Sequence, residues 1–304
     1  MVPEGYKNFR QSKIPLYSRQ KLKNIFPGEW ESIYTGEGIE FADIKPYEPG
    51  DDLRDLDLIT LVQSGEEEII RRTVGRRMRM FIWADLSGSM RRYREMFLSS
   101  KPDIRDIAVG LLAYSGYNAY TPVGLCAFDD EIRTYLPPVY GEDYCEKIRE
   151  KVTERDYKDS RKPAEVEKAL AFMMLNAYEQ SLIFFISDFK GPAFEGDFTS
   201  LLRPLKKKFD FVPVVIRDPI EKNAVIKRPI TIMVRDSEGR GSNEFYLTPQ
   251  KLEEIQQASA DHLKHVVRNF QLSGIDHVVL DSPRLESCYQ TLIAFFESRK
   301  RIRV

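Results

Sequence analysis

Cysteine is scarce in this sequence of 304 residues, with single thiols at Cys126, Cys145 and Cys288. None of them belongs to a C-x-x-C pair, so the sequence has neither the spacing of a disulfide framework nor that of a zinc site. Residues 1–7 also lack the apolar segment of a signal peptide. We therefore expect reduced core thiols in a cytoplasmic protein.

Long apolar segments and an excess of either charge are missing as well. The longest apolar runs, such as residues 182–186, have the length of a strand, far below the about 20 residues that a membrane helix needs. Lys and Arg number 46 against 47 Asp and Glu, which gives a formal net charge of −1. This balance excludes a general attraction to nucleic acid or to an anionic membrane. We expect no transmembrane anchor.

Basic residues do cluster locally, between Arg71 and Arg79 and again from Arg299 to Arg303. Neither cluster is interleaved with aromatic residues in the way that is typical of nucleic-acid binding. We expect a solvated strand edge and a solvated tail at these places. A nucleic-acid-binding scaffold is kept as a second alternative, which a salt-dependent gel shift would detect.

Signatures of nucleotide and ester hydrolysis are also lacking. No G-x-x-x-x-G-K-[ST] loop occurs, and no G-x-S-x-G elbow surrounds Ser87. Phosphatases of the haloacid-dehalogenase type have a second aspartate two positions after the nucleophile, whereas here Ser87 follows Asp85 at that distance. We expect a non-enzymatic protein. The first alternative is a metal-dependent phosphoesterase that uses Asp85 and Asp188.

From residue 78 onward, apolar segments of strand length alternate with helical patterns. The predicted strands are 81–84, 123–128, 132–136, 182–186, 211–216 and 277–280, and the predicted helices are 103–120, 142–152, 163–178, 200–208, 249–270 and 285–299. Such alternation predicts an α/β fold, a doubly wound and mostly parallel sheet with helices on both faces. Residues 76–304 are therefore assigned to one α/β domain.

Two regions interrupt this alternation. Residues 230–234 and 244–247 flank a Gly-rich turn and predict a β-hairpin inserted at about residues 228–248. The first 75 residues are irregular and rich in turn signals, and no low-complexity linker follows them. We expect residues 1–75 to form an N-terminal extension that packs on the α/β body.

The end of the first predicted strand is the most informative segment. Asp85, Ser87 and Ser89 follow it at alternate positions, and the turn at Gly88 can bring the two hydroxyls beside the carboxylate. Oxygen ligands of this kind suit Mg²⁺ or Mn²⁺ rather than zinc. A Ser/Gly turn whose hydroxyls cap the next helix would explain the same residues.

Asp188 follows the apolar segment 182–186, so a second aspartate stands at the end of a predicted central strand. Together the two strand ends resemble the metal-ion-dependent adhesion site of von Willebrand factor A domains. This resemblance implies that Asp85, Ser87 and Ser89 coordinate the metal and that Asp188 contacts it through water.

A narrower resemblance covers most of the chain. The string P-G-D-D-x-R-x-x-D at residues 49–57, together with residues 38–48, 64–66 and 85–90, is similar to the family called domain of unknown function fifty-eight. Its members carry a von Willebrand factor A-like domain and are commonly encoded beside MoxR-type AAA+ ATPases. The resemblance implies a protein-binding module or adaptor, with such an ATPase or another protein as its client.

The sequence departs from the family pattern at two positions. Leu58 stands where the family usually has tryptophan, which indicates a change in packing. Ala164 stands where the adhesion site usually takes a threonine ligand, and the nearest hydroxyl is that of Ser160. Arg161 and Lys162 place positive charge beside it. The metal site is therefore expected to be degenerate, with weak binding.

His262 and His265 lie one helical turn apart, a spacing that can serve a transition metal. No further ligand motif accompanies them. We expect this pair to face solvent.

Overall fold

The strands of this protein coincide with its most apolar segments. The computed structural model describes residues 40–48, 67–73, 78–90, 99–155, 165–235 and 242–301. Its strands are β1 Glu40–Pro46, β2 Glu68–Thr73, β3 Met80–Asp85, β4 Val123–Phe128, β5 Ile132–Val139, β6 Leu182–Ser187, β7 Asp210–Ile216, β8 Ile230–Arg235, β9 Ser242–Leu247 and β10 Val278–Leu280. All residues of β3, β4, β6 and β7 are buried, as expected for parallel strands that are covered on both faces.

Six strands form one sheet in the order β10-β7-β6-β3-β4-β5. Neighbours are parallel except β4 and β5, which pair antiparallel at one edge. If the six strands of this sheet are renumbered 1 to 6 in chain order, so that β3 is strand 1 and β6 is strand 4, their order is the doubly wound order 3-2-1-4-5-6. The direction in which successive strands are added reverses between β3 and β6. Ligands of such sheets bind beyond the carboxyl ends of the strands at this switch point.

Helices cover both faces of the sheet. They are α1 Lys101–Asn118, α2 Glu142–Arg155, α3 Val166–Asn176, α4 Thr199–Lys208, α5 Ile220–Asn223, α6 Pro249–Leu272 and α7 Leu285–Arg301. On one face, α3, α4 and α6 pack around Trp83 and Phe185. On the other, Phe184 meets Phe296 of α7 edge to face at 5.9 Å. Alternate side chains of one strand thus pack against helix layers on opposite faces of the sheet. This arrangement confirms the predicted α/β fold class.

Most predicted element bounds agree with the structure to within three residues. Two differences have a local cause. Helix α1 begins at Lys101, because Pro102 suits the first turn of a helix. Strand β5 continues past the predicted end through Pro137 and Pro138, which an edge strand tolerates because it has an unpaired side.

The predicted hairpin is present as the antiparallel pair of β8 and β9, in which Ile230 faces Leu247 and Arg235 faces Ser242. The chain divides into two compact units, one of them Lys21–Arg77. Within that unit β1 and β2 pair antiparallel. The packing of residues 1–75 on the α/β body stays a prediction, and the string at residues 49–57 lies outside the described residues. In the described part of the chain, no helix combines the length and the apolar character needed to cross a membrane.

Candidate functional site

The carboxyl ends of β3 and β6 bring the predicted site residues together. Ala84 pairs with Ile186, so the residues that follow them, Asp85 and Ser187, lie side by side. The Ser187 hydroxyl donates a hydrogen bond of 2.6 Å to Asp85 Oδ2. Asp188 follows directly, and its charge acts on Asp85. The two aspartates are therefore neighbours at the switch point of the sheet.

Asp85 is buried, and the groups that donate hydrogen bonds to it are neutral. Its Oδ1 accepts a hydrogen bond of 2.8 Å from the backbone N–H of Ser87, whose hydroxyl also contacts the carboxylate. Burial and the charge of Asp188 raise the pKa of Asp85 from 3.8 to about 6, against the opposing effect of the hydrogen bonds from Ser187 and Ser87. A buried carboxylate whose hydrogen-bond donors are all neutral is a group that a bound cation stabilises.

Ser87 and Ser89 lie on a tight turn directly after β3. Gly88–Met90 forms a single 3-10 turn, and the hydroxyl oxygens of the two serines are 3.4 Å apart. Arg105 of α1 is fully buried and donates a hydrogen bond of 2.7 Å to the carbonyl oxygen of Met90. This bond ties the turn to the helix layer. The Ser87 hydroxyl is held at the strand-end carboxylate, and the Ser89 hydroxyl lies next to it.

Ser187 connects the two loops of the site. Its hydroxyl donates to Asp85 and accepts a hydrogen bond of 3.0 Å from the N–H of Phe189. Phe189 has a φ of 53°, a left-handed conformation that bulky residues rarely adopt. Its ring packs against Phe185 and Phe194 in the core, with ring centroids 5.7 and 4.9 Å apart. Core packing therefore holds the turn after β6 and, through Ser187, the carboxylate of Asp85.

Asp188 is paired with an ammonium group that the sequence analysis did not identify. Lys101 Nζ lies 2.9 Å from Asp188 Oδ2 and 3.1 Å from Glu221 Oε1. Lys190 Nζ lies 2.8 Å from the same Glu221 oxygen. The backbone N–H of Lys190 donates to Asp188 Oδ1 at 3.2 Å. Two ammonium groups and two carboxylates thus form one cluster, which we call the lysine–carboxylate cluster.

The charges within this cluster set the ionisation of its members. Burial opposes the ionised form of Asp188 and Glu221, but the two lysines outweigh it. They hold the pKa of Asp188 below its ordinary value and lower the pKa of Glu221 to about 2. Burial likewise opposes the charge of Lys101, yet the two carboxylates raise its pKa. Lys101, Asp188 and Glu221 are therefore all charged at neutral pH.

The sequence contains a signal for Lys101 in its unfavourable position on α1. Lys101 occupies the first turn, where the helix dipole favours acidic residues. The helix after a strand of a parallel sheet begins near the carboxyl ends of the strands, so a first-turn lysine lies close to strand-end aspartates. Glu221 gives no such signal, because α5 reaches Lys101 only through tertiary packing.

The two histidines of α6 do not form the solvent-facing pair that the sequence predicts. Both are half-buried. His262 Nε2 lies 3.3 Å from the carbonyl oxygen of Asp188, and the His265 ring lies 6.0 Å from that of Phe198. Burial lowers the pKa of His262, which favours its neutral form. The prediction was wrong because helical periodicity cannot show that the loop after β6 covers this surface.

The oxygen atoms of Asp85, Ser87 and Ser89 fit a hard divalent cation such as Mg²⁺ or Mn²⁺. Among the described residues, no group of three or more His, Cys, Asp or Glu side chains could hold a metal. The candidate site therefore depends on hydroxyl oxygens. Its third loop, with Ser160, Arg161, Lys162 and Ala164, lies outside the described residues. Metal coordination by the four predicted residues stays a prediction.

Several solved structures share similarity with this chain. BatB, a conserved hypothetical protein from Bacteroides thetaiotaomicron, has a TM-score of 0.42 and 15% identity, and the match covers 72% of this chain and 99% of that one. An aerotolerance-related membrane protein from Bacteroides fragilis has a TM-score of 0.39 and 13% identity, and the match covers 71% of this chain and 98% of that one. Proximal thread matrix protein 1 from the mussel byssus, with a zinc-occupied MIDAS motif, has a TM-score of 0.36 and 11% identity, and the match covers 73% of this chain and 46% of that one.

Relatives in sequence cover nearly the whole chain. Uncharacterized proteins of Mycobacterium bovis and of two Mycobacterium tuberculosis strains are 20% identical over 291 residues, which is 95% of this chain and 88% of each relative. The family described as "Protein of unknown function DUF58" matches residues 43–264, which is most of the chain. The six-stranded sheet has a doubly wound, mostly parallel α/β fold, and this protein belongs to the DUF58 family.

Proposed function

We propose that this chain is a non-enzymatic protein-binding module that holds a divalent cation at the carboxyl end of β3. The observation that carries the proposal is the buried carboxylate of Asp85. Its hydrogen-bond donors, the Ser87 amide and the Ser187 hydroxyl, are uncharged. Mg²⁺ or Mn²⁺ would supply positive charge at this carboxylate, with serine hydroxyls as additional ligands.

Each residue of the site has a distinct role in this proposal. Asp85, Ser87 and Ser89 would bind the cation directly, and Asp188 would contact it through water. Ser187 orients the carboxylate of Asp85. One direct carboxylate and two neutral hydroxyls leave a divalent ion with surplus positive charge. The bound ion would therefore attract an acidic side chain from a partner protein.

The partner that we propose is a MoxR-type AAA+ ATPase, and the proposed location is the cytoplasm. The support is the resemblance of the sequence to a family whose members are commonly encoded beside such ATPases. The geometry is compatible with docking, since loops at the ends of buried strands are positioned by a rigid sheet. Such loops lose little conformational freedom when a partner binds.

A calorimetric titration tests the cation site. We expect Mg²⁺ and Mn²⁺ to bind the wild type with modest affinity, because the usual threonine ligand is replaced by Ala164. We expect no heat of binding for Asp85→Asn. Asp281→Asn is the matched control, because Asp281 follows β10 at the same edge of the sheet but pairs with Lys222 at 2.6 Å. The absence of a heat of binding for the wild type, or full binding by Asp85→Asn, would contradict the cation site.

We expect the purified protein to show no phosphoester hydrolysis above the background rate. Hydrolysis needs an acid–base group beside the nucleophile or the attacking water. The hydrogen-bond donors at Asp85 are serine hydroxyls and a backbone amide, which are not bases at neutral pH, and the neighbouring carboxylate of Asp188 is paired with the ammonium group of Lys101. A chromogenic assay with Mg²⁺ or Mn²⁺ measures this. Turnover that is lost in Asp85→Asn but kept in Asp281→Asn would favour the metal-dependent phosphoesterase.

A further inference from the structure

We infer that the ammonium group of Lys101 lowers the affinity of the candidate site for divalent ions. The inference rests on the cation site proposed at Asp85. Lys101 Nζ lies 2.9 Å from Oδ2 of Asp188, the carboxylate expected to reach the cation through water. The side chains of Lys101 and Asp188 are only 6% and 1% exposed, so water screens this pair little.

Lys101 is held in this position from two sides. Its ammonium group also contacts Glu221 at 3.1 Å, and its backbone belongs to the first turn of α1. Moving the ammonium group away would leave the buried carboxylate of Asp188 without its ammonium partner and would break one of the two ion pairs of Glu221, which is unfavourable. Lys101 therefore stays beside Asp188 when a divalent ion enters the site.

The pairing determines the charge that an incoming ion meets. Within the lysine–carboxylate cluster, the ammonium group of Lys101 contacts Asp188, whereas that of Lys190 contacts Glu221. Lys101 therefore offsets the charge of Asp188, and Asp85 is the carboxylate of the predicted ligand set whose charge no lysine of the cluster contacts. A divalent ion thus meets one uncompensated carboxylate of this set instead of two, and the nearby ammonium group repels it. The loaded site consequently keeps net positive charge, which suits a carboxylate of a partner rather than a basic group.

Three variants of the full chain separate a specific effect of Lys101 from a change in net charge. Lys101→Met removes the ammonium group at Asp188. Lys190→Met removes the same charge, but from an ammonium group that pairs with Glu221 instead. Lys101→Met combined with Glu221→Gln keeps the net charge of the wild type and removes one of the two carboxylates that Lys101 contacts. Circular dichroism and thermal unfolding show whether each variant is folded.

The measured quantity is the dissociation constant for Mg²⁺ by calorimetry. We expect both variants that carry Lys101→Met to bind Mg²⁺ at least about tenfold more tightly than the wild type, and Lys190→Met to stay within about threefold of it. If the single variant does not fold, the double variant decides.

Each outcome decides for or against the inference. Equal tightening in Lys190→Met would show that net charge alone matters and would overturn it. Unchanged or weaker binding in the folded Lys101 variants would also overturn it, and if the wild type binds Mg²⁺ the proposed function survives. Binding that appears only when Lys101 is replaced would support the inference while contradicting the cation site of the natural chain. No binding by any variant would reject both.

Discussion

Removal of divalent ions with EDTA is expected to abolish binding of this chain to the proposed partner, a MoxR-type AAA+ ATPase, and Asp85→Asn is expected to do the same without a chelator. In the proposed complex, a carboxylate of the partner completes the coordination of the ion held at Asp85. Loss of one member of a desolvated charge pair weakens a complex by about 30-fold or more. A pull-down with the MoxR-type ATPase encoded nearest to this gene measures the effect, and Asp281→Asn should bind normally.

A second mechanism makes a different prediction in the same experiment. If the metal site is degenerate, the basic residues Arg161 and Lys162 would attract the partner's carboxylate directly. Replacement of both by Glu should then abolish binding, and EDTA should have no effect. Full binding with EDTA, in Asp85→Asn and in the doubly substituted variant would show that the partner contacts another surface.

The layers of the fold can be predicted from this sequence because burial constrains composition. Strand β6 is covered on both faces, so every residue from Leu182 to Ile186 is apolar, and the predicted strand needs only Ser187 to be complete. The order of the strands in the sheet is less accessible. Periodicity cannot show that β6 pairs with β3 rather than with the preceding strand, because that choice depends on how the helices between them pack.

The candidate site also has a part that can be predicted from the sequence and a part that cannot. Asp85, Ser87 and Ser89 lie within five consecutive residues, so a strand followed by a turn is enough to predict that they meet. The lysine–carboxylate cluster joins residues from three distant elements, and contacts of that kind come from tertiary packing. The role of Ser187 can be predicted only in part. Its position beside Asp188 is evident, but its bond to Asp85 requires the parallel pairing of β3 and β6.

Asp85→Asn is also expected to stabilise the folded protein at neutral pH when divalent ions are absent. Burial and the charge of Asp188 raise the pKa of Asp85 from its ordinary value of 3.8 to about 6 in the folded protein. The folded state therefore binds this proton more tightly than the unfolded chain does. Ionisation of Asp85 costs stability, and the cost is absent below pH 3.8, grows as the pH rises, and is complete above about pH 6.

The neutral amide of asparagine avoids this cost and keeps an oxygen that can accept the Ser87 N–H, while its NH2 group replaces the oxygen that accepts the Ser187 hydroxyl and so reduces the gain. At about 1.4 kcal/mol for each pKa unit, the gain in unfolding free energy is up to about 3 kcal/mol at about pH 7.5. For a domain of this size that corresponds to several degrees, up to about 10 °C, in melting temperature. The difference between variant and wild type should shrink toward zero near pH 4, because Asp85 is then protonated in the folded protein.

Thermal unfolding of the wild type, Asp85→Asn and Asp281→Asn, each with EDTA and with Mg²⁺, measures these effects. Asp281 forms a partly exposed pair with Lys222, so Asp281→Asn should change stability by at most about 1 kcal/mol. Mg²⁺ should stabilise the wild type and the control but not Asp85→Asn, because only a ligand that binds the folded state adds to its stability. The advantage of Asp85→Asn should therefore narrow as Mg²⁺ is added, and a full advantage of about 3 kcal/mol would reverse only when the Mg²⁺ concentration exceeds the dissociation constant by more than about 100-fold. A melting temperature below that of the wild type in EDTA at neutral pH would mean that Asp85 is already compensated in the folded protein and needs no cation.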